Sequence, residues 1–259
     1  MFLLYPKLRS QIHLYNSVLG RNRTTLLISL CPGNCAWITN NEIGRKVSLM
    51  ALGCDTATKV TAARLKSIKE KKFTFIGRYL NRLERMHDEL TDAEVKRISD
   101  EGLYIVSLYE NEGGTDPDYF TKAQGVSDAE DAVELASDLG QPRNTPIYFA
   151  VDTDMTTKQI KDKVVPYFQG VKSVLENSRK NPNGYKMGIY GSRAVCSYIR
   201  GTSSATERYT FIVDNKWQGT FDDWNLRQYN FNTTIGSGSG KITVDYVESS
   251  SHGGGGWKK

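Results

Sequence analysis

The chain has 259 residues, enough for one large α/β domain or two small ones with a sizeable core. Hydrophobic residues make up 39% and charged residues 24%, the balance of an ordinary soluble globular protein. The net charge of +5 comes from Lys and Arg spread along the chain, so nucleic acid is not an expected partner, and the charge is as compatible with a mild attraction to anionic cell-wall polymers or phosphates. No apolar run reaches the length that spans a bilayer, which excludes stable membrane insertion as an expectation.

Residues 1 to 46 are Asn- and Arg-rich, lack steady periodicity and read as an appendage with a turn at Pro32-Gly33. Leu26 to Leu30 behind Arg21 and Arg23 imitates a signal peptide, but its apolar core is too short for one. Cys31 and Cys35 have knuckle-like spacing without a second ligand pair, and His13, His87 and His252 are scattered. A local disulfide or two free thiols is therefore expected there, and neither a metal nor another cofactor.

From about residue 47 to 249, strand-like and helix-like segments alternate. Val47 to Cys54 is an apolar run ending in Asp55, and Thr58 to Glu70 has helical spacing at Val60, Ala63, Leu65 and Ile68. Phe73 to Ile76 is a second strand running into Arg78-Tyr79. Thr91 with Glu94 three residues on makes a capping box for a helix that stops at Gly102. Leu103 to Leu108 is a third strand, ending at Glu110. Ser127 with Glu130 is a second capping box, opening a helix to Gly140. The fourth strand, Pro146 to Val151, ends in Asp152-Thr153-Asp154, two carboxylates expected on one face, one pleat apart. A long helix from Thr157 to Asn177 is expected to kink at Pro166. Lys186 to Tyr190, Tyr209 to Val213, Leu226 to Tyr229 and Ile242 to Val247 are the last strands, with helices between the final three short or missing. Residues 250 to 259, Gly-rich, read as a flexible tail. This order predicts a (β/α)8 TIM-type barrel with irregular or missing helices in its C-terminal part; an open doubly wound sheet is the alternative, but no glycine-rich phosphate loop follows the first strand.

Barrel enzymes build their sites at the carboxyl ends of the strands. There stand Asp55, Arg78-Tyr79, Glu110, Asp152 and Asp154, Tyr190, Asp214 to Trp217, Gln228-Tyr229 and Asp245. Any one of them is explained by a helix cap or a barrel-closing ring; the ring of acids as a whole is better explained by a site. Such a mouth suits a divalent cation held by oxygens, or glycoside hydrolysis by paired carboxyls, and the scarcity of histidine favours the second. Crowded carboxylates raise one another's pKa, so one stays protonated as the acid while another is ionised. Tyr and Trp217 would offer stacking faces to sugar rings.

These residues resemble a known family. From about Leu52 to Val247 the chain is similar to the glycoside-hydrolase-like family called domain of unknown function 1906, a relative of the family 25 lysozymes. Gly53-Cys54-Asp55-Thr56, Gly77-Arg78-Tyr79-Leu80, Leu90-Thr91-Asp92-Ala93-Glu94, Gly102-Leu103-Tyr104-Ile105-Val106, Ile147-Tyr148-Phe149-Ala150-Val151-Asp152 and Gly188-Ile189-Tyr190-Gly191-Ser192 carry the match. The resemblance implies a barrel with an acidic pocket for peptidoglycan or a related glycan, and a secreted or cell-wall-associated protein, expected as a monomer. It implies roles for Asp55, for Gln228-Tyr229 and for Asp245. In the lysozymes the fourth strand carries Asp-x-Glu, whose Glu is the general acid; here Asp154 stands in that place, one methylene shorter. Asp154 or Glu110 is then the expected proton donor, with Asp152, helped by Asp55, orienting the substrate's 2-acetamido group in a retaining, substrate-assisted route. Asp245 and Tyr190 would position hydroxyls or stabilise developing positive charge, and Arg78, Tyr79, Asp214, Trp217 and Gln228 would bind the glycan. The alternatives are a catalytically inactive glycan-binding module using the same pocket and, further off, a metal-dependent hydrolase.

Overall fold

In the computed structural model, residues 25–31, 34–39, 50–81, 88–111, 116–202 and 209–259 are described. Two compact units are distinguished, 1–49 and 50–259. In the first, strand β1 (Thr25–Cys31) pairs antiparallel with β2 (Asn34–Thr39), Cys31 opposite Asn34. The signal-like run Leu26 to Leu30 is therefore part of a hairpin strand, whereas the turn expected at Pro32-Gly33 and the side chains of Cys31 and Cys35 lie outside the described residues.

The second unit is a closed eight-stranded barrel in the order β10-β3-β4-β5-β6-β7-β8-β9. Strands β3 (Leu52–Asp55), β4 (Phe75–Leu80), β5 (Tyr104–Tyr109), β6 (Pro146–Val151), β7 (Lys186–Gly191), β8 (Tyr209–Val213) and β9 (Leu226–Ile235) run parallel in succession. The expected α/β barrel is thus present, with one correction at its seam. Strand β10 (Ile242–Ser249) is antiparallel to both β9 and β3. A parallel return needs a crossover of about a dozen residues or more, and the link 236–241 is of hairpin length.

Helices α1 (Ala62–Glu70), α2 (Asp92–Asp100) and α3 (Lys122–Asp138) pack outside the sheet. Each begins at a threonine, Thr61, Thr91 or Thr121, whose hydroxyl accepts the backbone N–H three residues on. Ser127 and Glu130 lie inside α3, so the capping box expected there is a coincidence of its polar face; Thr121 holds the true start. Pro166 sits in the first turn of α5 (Val165–Leu175), preceded by α4 (Thr157–Gln159) and a π-turn, Ile160–Val164. Proline has no N–H for the ordinary helical bond, and the distortion expected there takes the form of this widened turn. Helices α3 and α5 touch backbone to backbone, since a Cβ on Gly125 would lie 2.0 Å from the Tyr167 carbonyl oxygen. After α6 (Arg193–Thr202), strands β8 to β10 follow without a further α-helix among the described residues, as expected.

The core has two layers. Alternate residues of each strand point inward, where Phe75, Tyr79, Val106, Leu108, Tyr148, Ala150, Tyr190, Phe211 and Val213 fill the barrel. Their neighbours, among them Cys54, Ile76, Ile105, Phe149, Ile189 and Ile212, face the helices.

The tail expected to be flexible is instead packed. Trp257 is 2% exposed, exchanges both backbone hydrogen bonds with Ile105 (2.7 and 2.8 Å), and donates its indole N–H to Ser107 Oγ at 2.9 Å. The glycines before it let the chain pass where side chains would collide: a Cβ on Gly254 would meet Leu226 at 2.4 Å. A glycine run next to a tryptophan here marks close backbone approach followed by an anchor. Trp257→Phe, which keeps most of the ring and loses the indole donor, is expected to destabilise the barrel by about 1–2 kcal/mol in urea unfolding; an unchanged midpoint would show the strap to be passive.

Candidate functional site

Strand alternation sorts the strand-end residues before any distance is read. On β3 the outward Cys54 puts Asp55 inward; by the same count Tyr79, Glu110, Asp152, Tyr190, Gln228 and Asp245 share the inward face. Arg78 and Asp214 fall on the outward face.

At the mouth lies a cavity of about 380 Å³ whose walls include Asp55, Tyr79, Asp152, Tyr190, Trp217, Gln228 and Asp245. Asp55 is paired in register with Gly77 and with Asp245, which brings two carboxyls together across the seam. Gly77 leaves the space this needs, since a Cβ there would stand 2.6 Å from that of Asp55. The reversal of β10 also explains how Asp245, in the first half of its strand, reaches the end where the parallel strands finish.

One amide ties the group together. Gln228 Nε2 donates to Asp55 Oδ2 at 3.0 Å and to Asp245 Oδ2 at 2.8 Å, and Gln228 Oε1 accepts the Tyr190 hydroxyl at 3.0 Å. The Tyr190 oxygen also lies 3.5 Å from Asp152 Oδ1. Burial, followed by the charges of Asp245 and Asp152, pushes the Asp55 carboxyl well above the ordinary carboxylate range, against the pull of the Gln228 hydrogen bond. Burial also raises Asp245, which a hydrogen bond from the Asn232 backbone lowers. The Tyr79 and Tyr190 phenols are raised by burial and by the surrounding acids, so both stay neutral.

Four expected site residues stand elsewhere. Arg78 is fully buried on the helix side, with Nε 2.7 Å from Glu94 Oε1 and its terminal nitrogens donating to the Thr56 and Asp88 carbonyls at 2.7 and 2.8 Å. It cannot touch a ligand; Glu94, read from sequence as half of a capping box, is its counter-ion. Asp214 is held between Arg193 and Arg227 at 3.0 and 2.9 Å, outside the cavity. Strand β6 stops at Val151, so Asp152 and Asp154 are not one pleat apart on a strand. Asp154 is exposed, absent from the cavity wall, and accepts the Gln218 N–H at 3.1 Å. Glu110 is buried and contributes to the field on Asp55 without lining the cavity.

Conversely, Thr56 and Asn232 line the cavity without having been expected there, and Asn215 joins it from the expected stretch Asp214 to Trp217. Asn232 lies in a β-bulge of β9 opposite Asp245, with φ of 51°, and its backbone N–H meets Asp245 Oδ1 at 2.5 Å. The only sequence signal was an asparagine, a residue that tolerates left-handed backbone, three residues past the expected strand Leu226 to Tyr229, which in the structure continues to Ile235. Among the described residues no group of three or more His, Cys, Asp or Glu is placed to hold a metal ion.

Comparison with known proteins agrees with this architecture. The model of the Rv2525c-like, glycoside hydrolase-like domain matches residues 66–249. YbfG of Bacillus subtilis is 35% identical over 209 residues, covering 75% of this chain and 28% of YbfG. The "Putative peptidoglycan hydrolase Rv2525c" of Mycobacterium tuberculosis is 34% identical over 88 residues, 34% of this chain and 37% of that protein. The crystal structure of that Tat-secreted protein with L-tartrate shares the fold at a TM-score of 0.65 and 21% identity, covering 79% of this chain and 98% of that one. The chain spans about a third of the length of the curated relatives it matches. It belongs to the Rv2525c-like family of glycoside hydrolase-like domains, the family that its strand-end motifs resemble.

Proposed function

We propose that the protein is a glycosidase cleaving a β-linked N-acetyl amino-sugar polymer, with peptidoglycan the first candidate, by a retaining, substrate-assisted route. The observation that carries the proposal is the meeting of Asp55, Asp152 and Asp245 around one sugar-sized cavity, in environments that differ from one another. Asp55, held protonated by burial and by its acidic neighbours, gives its proton to the glycosidic oxygen as the bond to the anomeric carbon breaks. Asp152 accepts the N–H of the 2-acetamido group and turns its carbonyl oxygen onto that carbon, forming a cyclic oxazolinium. Water then opens the ring from the same face as the leaving sugar, and the Asp55 carboxylate takes its proton. Asp245, facing the same space, offsets the positive charge that develops. The proton donor is assigned to Asp55 in place of the expected Asp154 or Glu110 because neither of those lines the cavity. A mycobacterial relative named for peptidoglycan hydrolysis supports the choice of substrate, which would place the protein at the cell wall.

Muropeptide release from purified peptidoglycan tests it: product from the wild type and none from Asp152→Asn is expected. The exposed position of Asp154, where the lysozymes carry their acid, favours a second reading, a module that binds the glycan without cutting it. Intact muropeptide binding with no release from any peptidoglycan would establish that reading in place of the first. Under either, Trp217→Ala is expected to weaken glycan binding about fivefold to tenfold, the loss of one stacking face, as read by calorimetric titration.

A further inference from the structure

The expected role of Gln228 was contact with the glycan, yet its side chain is 2% exposed and both ends of its amide are engaged by the protein. Both N–H groups point at carboxyl oxygens, one on Asp55 and one on Asp245. Those two oxygens, Oδ2 in each case, are receiving hydrogen bonds and so cannot carry the proton between themselves and the amide. Asp245 has its other oxygen occupied too, by the Asn232 N–H at 2.5 Å. With a donor on each oxygen, Asp245 is the carboxyl best held as an anion. Asp55 has its Oδ1 left for a proton.

We propose that Gln228 is a positioning residue that confines the Asp55 proton to Oδ1, the oxygen turned away from the amide, and opposes its retention there, while the Asn232 N–H, the second donor on Asp245, leaves the proton of this carboxyl pair to Asp55. Tyr190 holds the amide in this orientation: its hydroxyl donates to Gln228 Oε1, and a flipped amide would set its oxygen against the carboxylates. The other groups bearing on Asp55 are Asp245 across the seam, Asp152 and Glu110 from the ends of β6 and β5, and Tyr79 of β4. All are acidic or neutral, so removing the amide leaves no cation to take over its part. The inference rests on the glycosidase reading only for the use made of the proton, and its test needs no glycan.

The test is to follow the Asp55 carboxyl through a pH titration by carbon-13 NMR in the whole chain, assigned with Asp55→Asn, in the wild type, Gln228→Met and Tyr190→Phe. Methionine fills the same space without donors. Loss of the two N–H groups raises the Asp55 titration by about one pH unit, the size of one charge-assisted hydrogen bond, and Tyr190→Phe raises it by less. Asp245, keeping its Asn232 donor, titrates below Asp55 in all three. An Asp55 titration unmoved in Gln228→Met, or an Asp245 that titrates above Asp55, overturns the proposal. Should Gln228→Met fail to fold, Tyr190→Phe decides in its place, and an Asp55 titration unmoved there overturns the proposal equally. A merely structural Gln228 would lower the melting temperature without moving either titration. Absence of muropeptide release, by contrast, bears on the glycosidase reading alone.

Discussion

Asp55→Asn is expected to abolish muropeptide release and, at the same time, to make the barrel more stable. Asparagine keeps the shape of the side chain and an acceptor for Gln228, but has no proton to give, and a positioned general acid is worth about 10²–10⁴ in rate. Stability moves the other way because of linkage. The folded Asp55 titrates above its unfolded value, chiefly through burial. Below about pH 4, the unfolded value for an aspartate, it is protonated in both states and contributes nothing to pH dependence. As pH rises from there towards the folded pKa, the unfolded chain releases its proton and the folded one retains it, so the wild type loses stability that the asparagine variant does not lose. Thermal melts should therefore coincide near pH 4, apart from the constant effect of the substitution, and separate by pH 7 with the variant higher. Under the proposed mechanism the same carboxyl is expected to set the alkaline limb of cleavage, at a pH above the ordinary carboxylate range. Normal release by Asp55→Asn, or a stability gap that does not widen between pH 4 and 7, would remove Asp55 from its role.

The residues that could be placed from sequence, and those that could not, divide along one physical line. Strand order and the barrel follow from hydrophobic periodicity, which survives without coordinates because burial is what writes it. The ring of strand-end acids was visible for the same reason. Which members of the ring meet depends on parity, and parity needs the strand ends to within one residue. Cys54 and Ile76 show that β3 and β4 turn Asp55 and Tyr79 inward, and the same count sends Arg78 and Asp214 out. Asp154 was misjudged because the alternation was carried three residues past Val151, the last of the strand, whereas Asp152 follows it directly. Asn232 was invisible for another reason: it acts through its backbone, whose direction depends on a bulge set by pairing with β10. The packed tail illustrates a third limit. A run of glycines has the composition of a linker whether or not a neighbouring surface needs the missing side chains, and only Trp257 hinted that a surface was there.

The outward turn of Arg78 leads to the largest expected loss of stability. Arg78 and Glu94 are both fully buried, and their pairing at 2.7 Å satisfies only part of each group. The guanidinium also holds the carbonyls of Thr56 and Asp88, and Glu94 also accepts the N–H of Val60 at 3.0 Å. Arg78→Ala strands the Glu94 charge among apolar side chains and unties two carbonyls; removing one partner of such a pair destabilises by about 3–5 kcal/mol. In a domain of this size that lowers the melting temperature by roughly 10 °C. Arg78→Lys keeps the charge but has no planar fork to reach three acceptors, so it should recover only part of the loss. Replacing both partners, as Arg78→Met with Glu94→Leu, removes the buried charge yet still leaves the Thr56, Asp88 and Val60 backbone groups without partners. It should therefore be more stable than Arg78→Ala and less stable than the wild type. That ordering separates the charge from the backbone bonds: a double variant as stable as the wild type would mean that the three backbone contacts contribute nothing. The distinction matters for the site, because Thr56 follows Asp55 directly and its own hydroxyl is donated to Thr243 across the seam at 2.7 Å. A loosened Thr56 carbonyl would relax the wall of the cavity at the residue assigned the proton. The lysine variant, folded at 25 °C, is accordingly expected to bind muropeptide with lower affinity although Arg78 never touches the ligand, and unchanged affinity would confine the pair to a role in folding.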